Sequence, residues 1–239
     1  MKAFKRVENL IGSESLQVLQ TSSVAIFGVG GVGVFVAEAL VRSGIGEIAV
    51  FDSDIVDETN INRQIIATTN SVGKDKVEVI KQRLLSINPD LKIESYKVFY
   101  LPENANDFDL SKYDYIVDAV DTVSAKIEII SRAKALGKAV ISCMGTGGKL
   151  QIEGLKVADI SQTSGCPLAR VMRRELKKRN INDVKVVYST EDAQKNCTDN
   201  FDVGERVPPS MIFVPAVAGL YIAREVAFDL IKTKRERSI

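Results

Sequence analysis

The segment Gly28-Val-Gly30-Gly31-Val-Gly33 sets four glycines between a short apolar run, Ser23 to Phe27, and a run of helical periodicity. Glycines there permit a tight turn and let backbone N–H groups approach a phosphate at a helix N-terminus. Asp52 closes the next apolar run about 20 residues on, where a carboxylate can accept hydrogen bonds from ribose hydroxyls. These residues read as a nucleotide site. Alone, they do not choose between NAD and ATP.

The residues that follow favour a nucleotide whose phosphates are attacked. Asp52-Ser-Asp54 leads to Thr59-Asn60-Ile-Asn-Arg63-Gln64 and then to Lys76. Hydride transfer needs no cations here, whereas transfer at phosphorus does, because charge develops on the phosphoryl oxygens. Arg63 offers a planar donor fork and Lys76 a mobile point charge. A solvated turn with surface cations is the plain alternative for that pair. Asp118 and Asp121 end another short apolar run. In an open parallel sheet, ligands sit beyond the carboxyl ends of the strands, and Mg²⁺ takes one or two protein carboxylates together with phosphates. For Asp118, a helix-capping role competes with metal binding.

What the chain lacks excludes as much. It has no histidine, so no imidazole can serve as base, metal ligand or triad member. Its three cysteines, Cys143, Cys166 and Cys197, form no CxxC pair, so no zinc is expected. The odd count and the absence of a leader-like opening suit a reducing cytoplasm. The net charge of +1 does not call for wholesale polyanion binding, although a local basic patch stays open. The longest apolar stretch, 211–223, is too short for a membrane span and contains Pro215, so no membrane partner is expected.

The elements that must position these groups follow from hydrophobic periodicity. Strands are expected at 23–27, 48–51, 92–99, 115–118 and 139–143. A short helical pattern precedes the first strand. Helices are expected after Gly33, over 74–87, from Thr122 as cap to Leu136, and over 166–179. Residues 189–207 read as a polar loop, 210–214 as a strand, and 215–231 as a closing helix with Pro215 at its first position. The sum is an α/β chain with a Rossmann-like, mainly parallel sheet and helices on both faces, extended by a C-terminal strand and helix region. One domain over 1–239 is expected. Its nucleotide part covers 1–145, its substrate and closing region 146–231, and a charged tail 232–239.

Gly28 to Gly33, Asp52-Ser-Asp54, Asn60 to Gln64, Lys76 and Asp121 together resemble the ThiF/MoeB/HesA superfamily, relatives of the ubiquitin-activating enzymes that adenylate carboxylates. Arg6, in Phe4-Lys-Arg6-Val-Glu-Asn-Leu-Ile-Gly12, looks like the family's arginine finger, which reaches the nucleotide of the partner subunit in a homodimer. The stretches 157–176, 185–189 and 213–219 look like the branch of tRNA threonylcarbamoyladenosine dehydratases. The lack of paired zinc cysteines agrees with that branch. Gly145-Thr-Gly-Gly148-Lys149 departs from its pattern and is given no binding role.

The resemblance implies that ATP activates the threonyl carboxylate of the modified adenosine next to the anticodon, and that a nitrogen of the same substrate then closes the ring with loss of water. It also implies roles: Asp52 on ribose; the glycine loop, Arg6, Arg63 and Lys76 on phosphates; Asp121 on Mg²⁺; Asp54, Asn60 and Gln64 around the nucleotide. A carboxylate is already ionised at neutral pH, so the missing histidine is no obstacle. Arg170, Arg173, Arg174, Lys177 and Lys178 lie on one side of the 166–179 helix and are expected to face tRNA phosphates, with a solvated helix face as the alternative. Cys166 is read as structural, because internal ring closure needs no thioester. A sulfurtransferase partner is left open. An adenylyltransferase for a ubiquitin-like sulfur carrier, a non-catalytic nucleotide-binding scaffold and an NAD oxidoreductase are the other functions considered.

Overall fold

The computed structural model describes residues 2–194 and 209–236. Seven helices and seven strands alternate through them. Helices α1 (Lys5–Ile11) and α2 (Ser13–Gln20) lead into β1 (Ser23–Phe27). Then come α3 (Gly33–Arg42), β2 (Glu47–Asp52), α4 (Lys76–Ile87), β3 (Lys92–Lys97), β4 (Tyr115–Asp118), α5 (Val123–Ala135) and β5 (Ala139–Cys143). The chain continues through β6 (Leu155–Asp159), α6 (Pro167–Lys177), β7 (Lys185–Ser189) and α7 (Phe213–Glu236).

The strands form one sheet in the order β3-β2-β1-β4-β5-β7-β6. All neighbours are parallel except β6, which runs antiparallel to β7 at the edge. Successive side chains of a strand point to opposite faces, so both faces of β1 are core. Val24 and Ile26 pack with α3, α4 and α7, while Ala25 and Phe27 pack with α5 and α6. The order reverses between β1 and β4. Beyond that point the two chain exits diverge, which opens a crevice at the carboxyl ends of the strands.

The expected α/β architecture is found, with five differences in detail. The N-terminal segment forms the helix α1, which was not anticipated. Strands β6 and β7, of five residues each, were not read as strands; β6 lies at the sheet edge and β7 beside it. Residues 210–214 are no strand. Instead, α7 begins at Phe213 and Pro215 is its third residue, where its missing N–H is one that a helix start leaves unbonded anyway. Of the tail, residues 232–236 are helical. Thr122 occupies the cap position of α5 but makes no capping bond; its hydroxyl donates to Asp121 at 3.3 Å. Within the expected 189–207 loop, 195–207 lie outside the described residues, as does Cys197.

Candidate active site

The crevice has a volume of about 470 Å³ and gathers most of the residues singled out above. Its floor is the glycine turn. Gly28 has φ of +85°, and a Cβ there would lie 2.7 Å from the carbonyl oxygen of Ala119. A Cβ on Gly33 would lie 1.8 Å from the carbonyl oxygen of Gly28. These two glycines therefore permit the turn and the close packing of α3 on β1 and β4. Gly33, expected among the ligand-binding residues, is not among those that line the crevice. Gly30 and Gly31 do line it.

Asp52, at the end of β2, fixes the turn. Its Oδ2 accepts from the Val29 N–H at 2.8 Å and its Oδ1 from the Asp54 N–H at 2.9 Å. Burial pushes its carboxyl above the ordinary aspartate range, opposed by Lys76 and by these two bonds. Each oxygen keeps acceptor capacity toward the crevice. Lys76 is the first residue of α4 and only 5% exposed. Its ammonium is held by the exposed Asp54 at 2.7 Å. Asp54 thus presents Lys76 at the crevice wall.

Asn60 is a supporting residue. Its Oδ1 accepts from Asp57 N–H at 3.3 Å, closing a capping box around the turn 58–60. Its carbonyl accepts from the backbone N–H groups of Arg63 and Gln64. Arg63 spends Nη1 on Thr59 O and Asn62 Oδ1, at 2.8 and 2.9 Å. Gln64 is buried, and its Oε1 has no hydrogen-bond partner among the described residues. An orphaned buried amide oxygen at a crevice wall suits a bound ligand or water.

Across the crevice lie Ala119 to Thr122 and, beyond β5, Cys143 to Gly147. Asp121 is exposed to the crevice. Asp118 is not: it is fully buried, 2.9 Å from the ammonium of the equally buried Lys126, and accepts from Ser142 Oγ at 2.5 Å. It is neither a metal ligand nor a helix cap. Cys143 is buried and its thiol is pushed up to about 12 by burial, so it stays protonated. Cys166 is buried at the start of α6.

Several lining residues had not been singled out. Val98, Phe99 and Tyr100 form an apolar wall beside Asp52, and Leu168, Ser210 and Pro215 complete the rim. Gly145 to Gly147, given no role from sequence, form part of the wall. The rule that ligands sit beyond the carboxyl ends of parallel strands was the signal available for that loop.

Two expected groups lie apart from the crevice. Arg6 is exposed on α1 and does not line it. The basic set on α6 is divided. Arg173 is half-buried and donates through Nη1 to the carbonyl and hydroxyl oxygens of Thr163, which ties it to the segment before α6. Arg174 and Lys178 are exposed but both pair with Glu175. Arg170 and Lys177 are exposed, with no ion pair among the described residues.

Residues 4–236 match the ThiF family. A tRNA threonylcarbamoyladenosine dehydratase of Bacillus subtilis is 40% identical over 240 residues, covering 96% of this chain and 94% of that protein. One from Haemophilus influenzae is 32% identical, covering 97% and 94%. The crystal structure of the Escherichia coli tRNA N6-threonylcarbamoyladenosine dehydratase in complex with ATP superposes with a TM-score of 0.88 at 30% identity, over 99% of this chain and 96% of that one. A full-length match of this kind includes the C-terminal third, where β6, α6, β7 and α7 complete the sheet and the crevice rim. The chain belongs to the ThiF family, in its branch of tRNA threonylcarbamoyladenosine dehydratases.

Proposed function

We propose that the crevice binds ATP and adenylates the threonyl carboxylate of threonylcarbamoyladenosine in tRNA, after which a nitrogen of the same substrate closes the ring. The observation that carries this reading is the convergence of the glycine turn, Asp52, Arg63, Lys76 and Asp121 on one cavity at the strand-order reversal.

The glycine turn at the start of α3 receives phosphate. Asp52 takes the ribose with its remaining acceptor capacity, and the 98–100 wall takes the base. Arg63 turns Nε and Nη2, which make no hydrogen bond among the described residues, toward the phosphates with Lys76. Asp121 supplies one free carboxylate. That fits Mg²⁺, which draws its other ligands from phosphates and water, and no set of three acidic or cysteine ligands exists among the described residues. A Mg²⁺ ion held there neutralises phosphate charge. The attacking carboxylate needs no proton removed, so positioning and cations suffice. The protonated Cys143 takes no acyl group.

Arg6 reaches the site from a second copy of the chain. Two observations support this: Arg6 does not line its own crevice, and α7 carries an apolar stripe of Phe213, Leu220, Tyr221 and Phe228 facing outward, with Leu10 of α1 85% exposed. Exposed apolar surface of this extent marks an interface. Arg170 and Lys177 face the tRNA backbone. A sulfurtransferase is no part of the proposal, since ring closure uses no sulfur.

Pyrophosphate release from Mg²⁺-ATP tests the reading. It should depend on tRNA carrying the modification, and Arg170→Glu with Lys177→Glu should raise the KM for that tRNA while leaving ATP binding unchanged. Release that ignores the tRNA rejects the substrate, and an unchanged KM removes α6 from the tRNA surface.

A further inference from the structure

The two loops that form the far wall of the crevice are tied together by a charge pair in the core beneath them. Lys126 on α5 and Asp118 at the end of β4 are both wholly inaccessible, with 0% side-chain exposure. The Lys126 ammonium has three donors and three acceptors: Asp118 Oδ2 at 2.9 Å, the Val120 carbonyl at 3.1 Å and the Cys143 carbonyl at 2.7 Å. Asp118 in turn accepts from the Val120 N–H at 3.3 Å and from Ser142 Oγ. Both backbone groups of Val120, the residue before Asp121, are therefore bound by this pair. The Cys143 carbonyl, where the 143–147 wall begins, is bound by the same ammonium.

A buried ion pair is a weak source of stability, because the desolvation of two charges offsets their attraction, and apolar replacements of similar volume are often as stable. Packing alone gives no reason for a lysine here. Its surroundings give another: it contacts the exits of both β4 and β5, the neighbouring strands that lead into the far wall of the crevice.

We propose that Lys126 and Asp118 are positioning residues that set the relation between the Asp121 loop and the 143–147 loop. Through it they set the approach of the carboxylate to the α-phosphate. Neither residue touches substrate. This inference rests on the adenylation reading. It predicts a loss in kcat rather than in ATP affinity, because neither residue of the pair hydrogen-bonds the glycine turn or Asp52. A misplacement of about 1 Å between reacting groups costs on the order of 100-fold in rate.

The test compares three variants of the full chain. The double change Asp118→Asn, Lys126→Met removes both charges together. Ser142→Ala removes only the hydroxyl on Asp118. Ile129→Ala, on the same helix and fully buried, is a destabilised control that leaves the pair intact. Calorimetric ATP affinity, melting temperature, kcat for tRNA-dependent pyrophosphate release and backbone hydrogen exchange are measured for each. The double variant should lose about 100-fold in kcat, with ATP affinity within about three-fold, and faster exchange confined to 119–122 and 143–147. Ser142→Ala should fall several-fold in kcat. Ile129→Ala should keep kcat within about three-fold despite its lower melting temperature. A double variant that is folded and as active as the Ile129→Ala control overturns the proposal. If the double variant does not fold, an unchanged kcat and unchanged loop exchange in Ser142→Ala overturn it instead. Failure of the adenylation reading has a different signature: wild type releases no pyrophosphate, while the exchange pattern still reports on the loops.

Discussion

Two aspartates separated by two residues have opposite fates. Asp118 is the last residue of β4, so its side chain points into the α5 side of the sheet and meets Lys126. Asp121 lies three residues later, past the strand end, and emerges in the crevice. Its carboxylate contributes little to packing and, in the proposed site, balances phosphate charge through Mg²⁺. Asp121→Ala should leave the melting temperature within about 2 °C, since exposed substitutions usually change stability by no more than about 0.5 kcal/mol. It should lower adenylation at least 100-fold, as loss of a group that stabilises transition-state charge is worth about 3–4 kcal/mol. Circular dichroism melts beside pyrophosphate release check both halves; full turnover would remove Asp121 from the site.

Helices α3 and α4 must keep a fixed relation, because one begins at the glycine turn and the other at Lys76. Glu38 on α3 ties them. Its carboxylate accepts from Arg83 of α4 at 2.5 and 3.1 Å and from Arg42 at 2.9 Å. Burial alone raises a carboxyl, but Arg83 and Arg42 outweigh it and hold Glu38 below the ordinary glutamate range. A depressed acid stabilises the fold above its unfolded pKa and loses that contribution as pH falls through its folded value. Glu38→Gln should therefore cost about 1–2 kcal/mol at pH 7, on the order of 2–8 °C in melting temperature. The gap should close as the pH drops below about 4. A pH-independent gap, followed by thermal melts from pH 7 to pH 3, would contradict the ion-pair account.

The elements around the nucleotide were legible in the sequence because their physical signals are strong. Apolar runs bounded by glycine or aspartate gave β1, β4 and β5 to the residue, and periodicity gave α3 to α6 within two residues. Strands β6 and β7 carry weaker signals: β6, at the sheet edge, has four exposed or half-exposed positions in five, and its partner follows across a helix. Pro215 was read as a helix start because proline favours the first turn. The sequence does not reveal that two preceding residues already belong to that turn. At the site, most of the polar residues that line the crevice were legible by motif. Side-chain direction was not: Asp118 looks like a ligand residue by neighbourhood, and only tertiary packing turns it inward onto Lys126. Lys126 has no sequence signal at all, since a lysine in an amphipathic helix reads as surface.

At the scale of the whole molecule, the crevice of one chain lacks Arg6, while the apolar stripe of α7 has no partner among the described residues. The proposed two-fold dimer would account for both and would make two shared sites. Arg6→Ala and Asp121→Ala should each be nearly inactive. If the two variants are unfolded together and refolded, about half the dimers are mixed by random assortment, and each mixed dimer has one undamaged site and one with both lesions. About a quarter of wild-type activity should return. If Arg6 served its own chain, every site would keep a lesion and nothing would return, provided subunit exchange is shown by a tag on one variant.

The central claim concerns what the crevice does to its substrate, and one measurement addresses it directly. The protein is incubated with ATP, Mg²⁺ and tRNA bearing threonylcarbamoyladenosine, and the nucleosides are examined by mass spectrometry after mild digestion. The account predicts that the modified nucleoside loses the mass of one water, only when ATP is present, with AMP and pyrophosphate formed in equal amounts. An unchanged nucleoside under conditions where the protein binds ATP would contradict it.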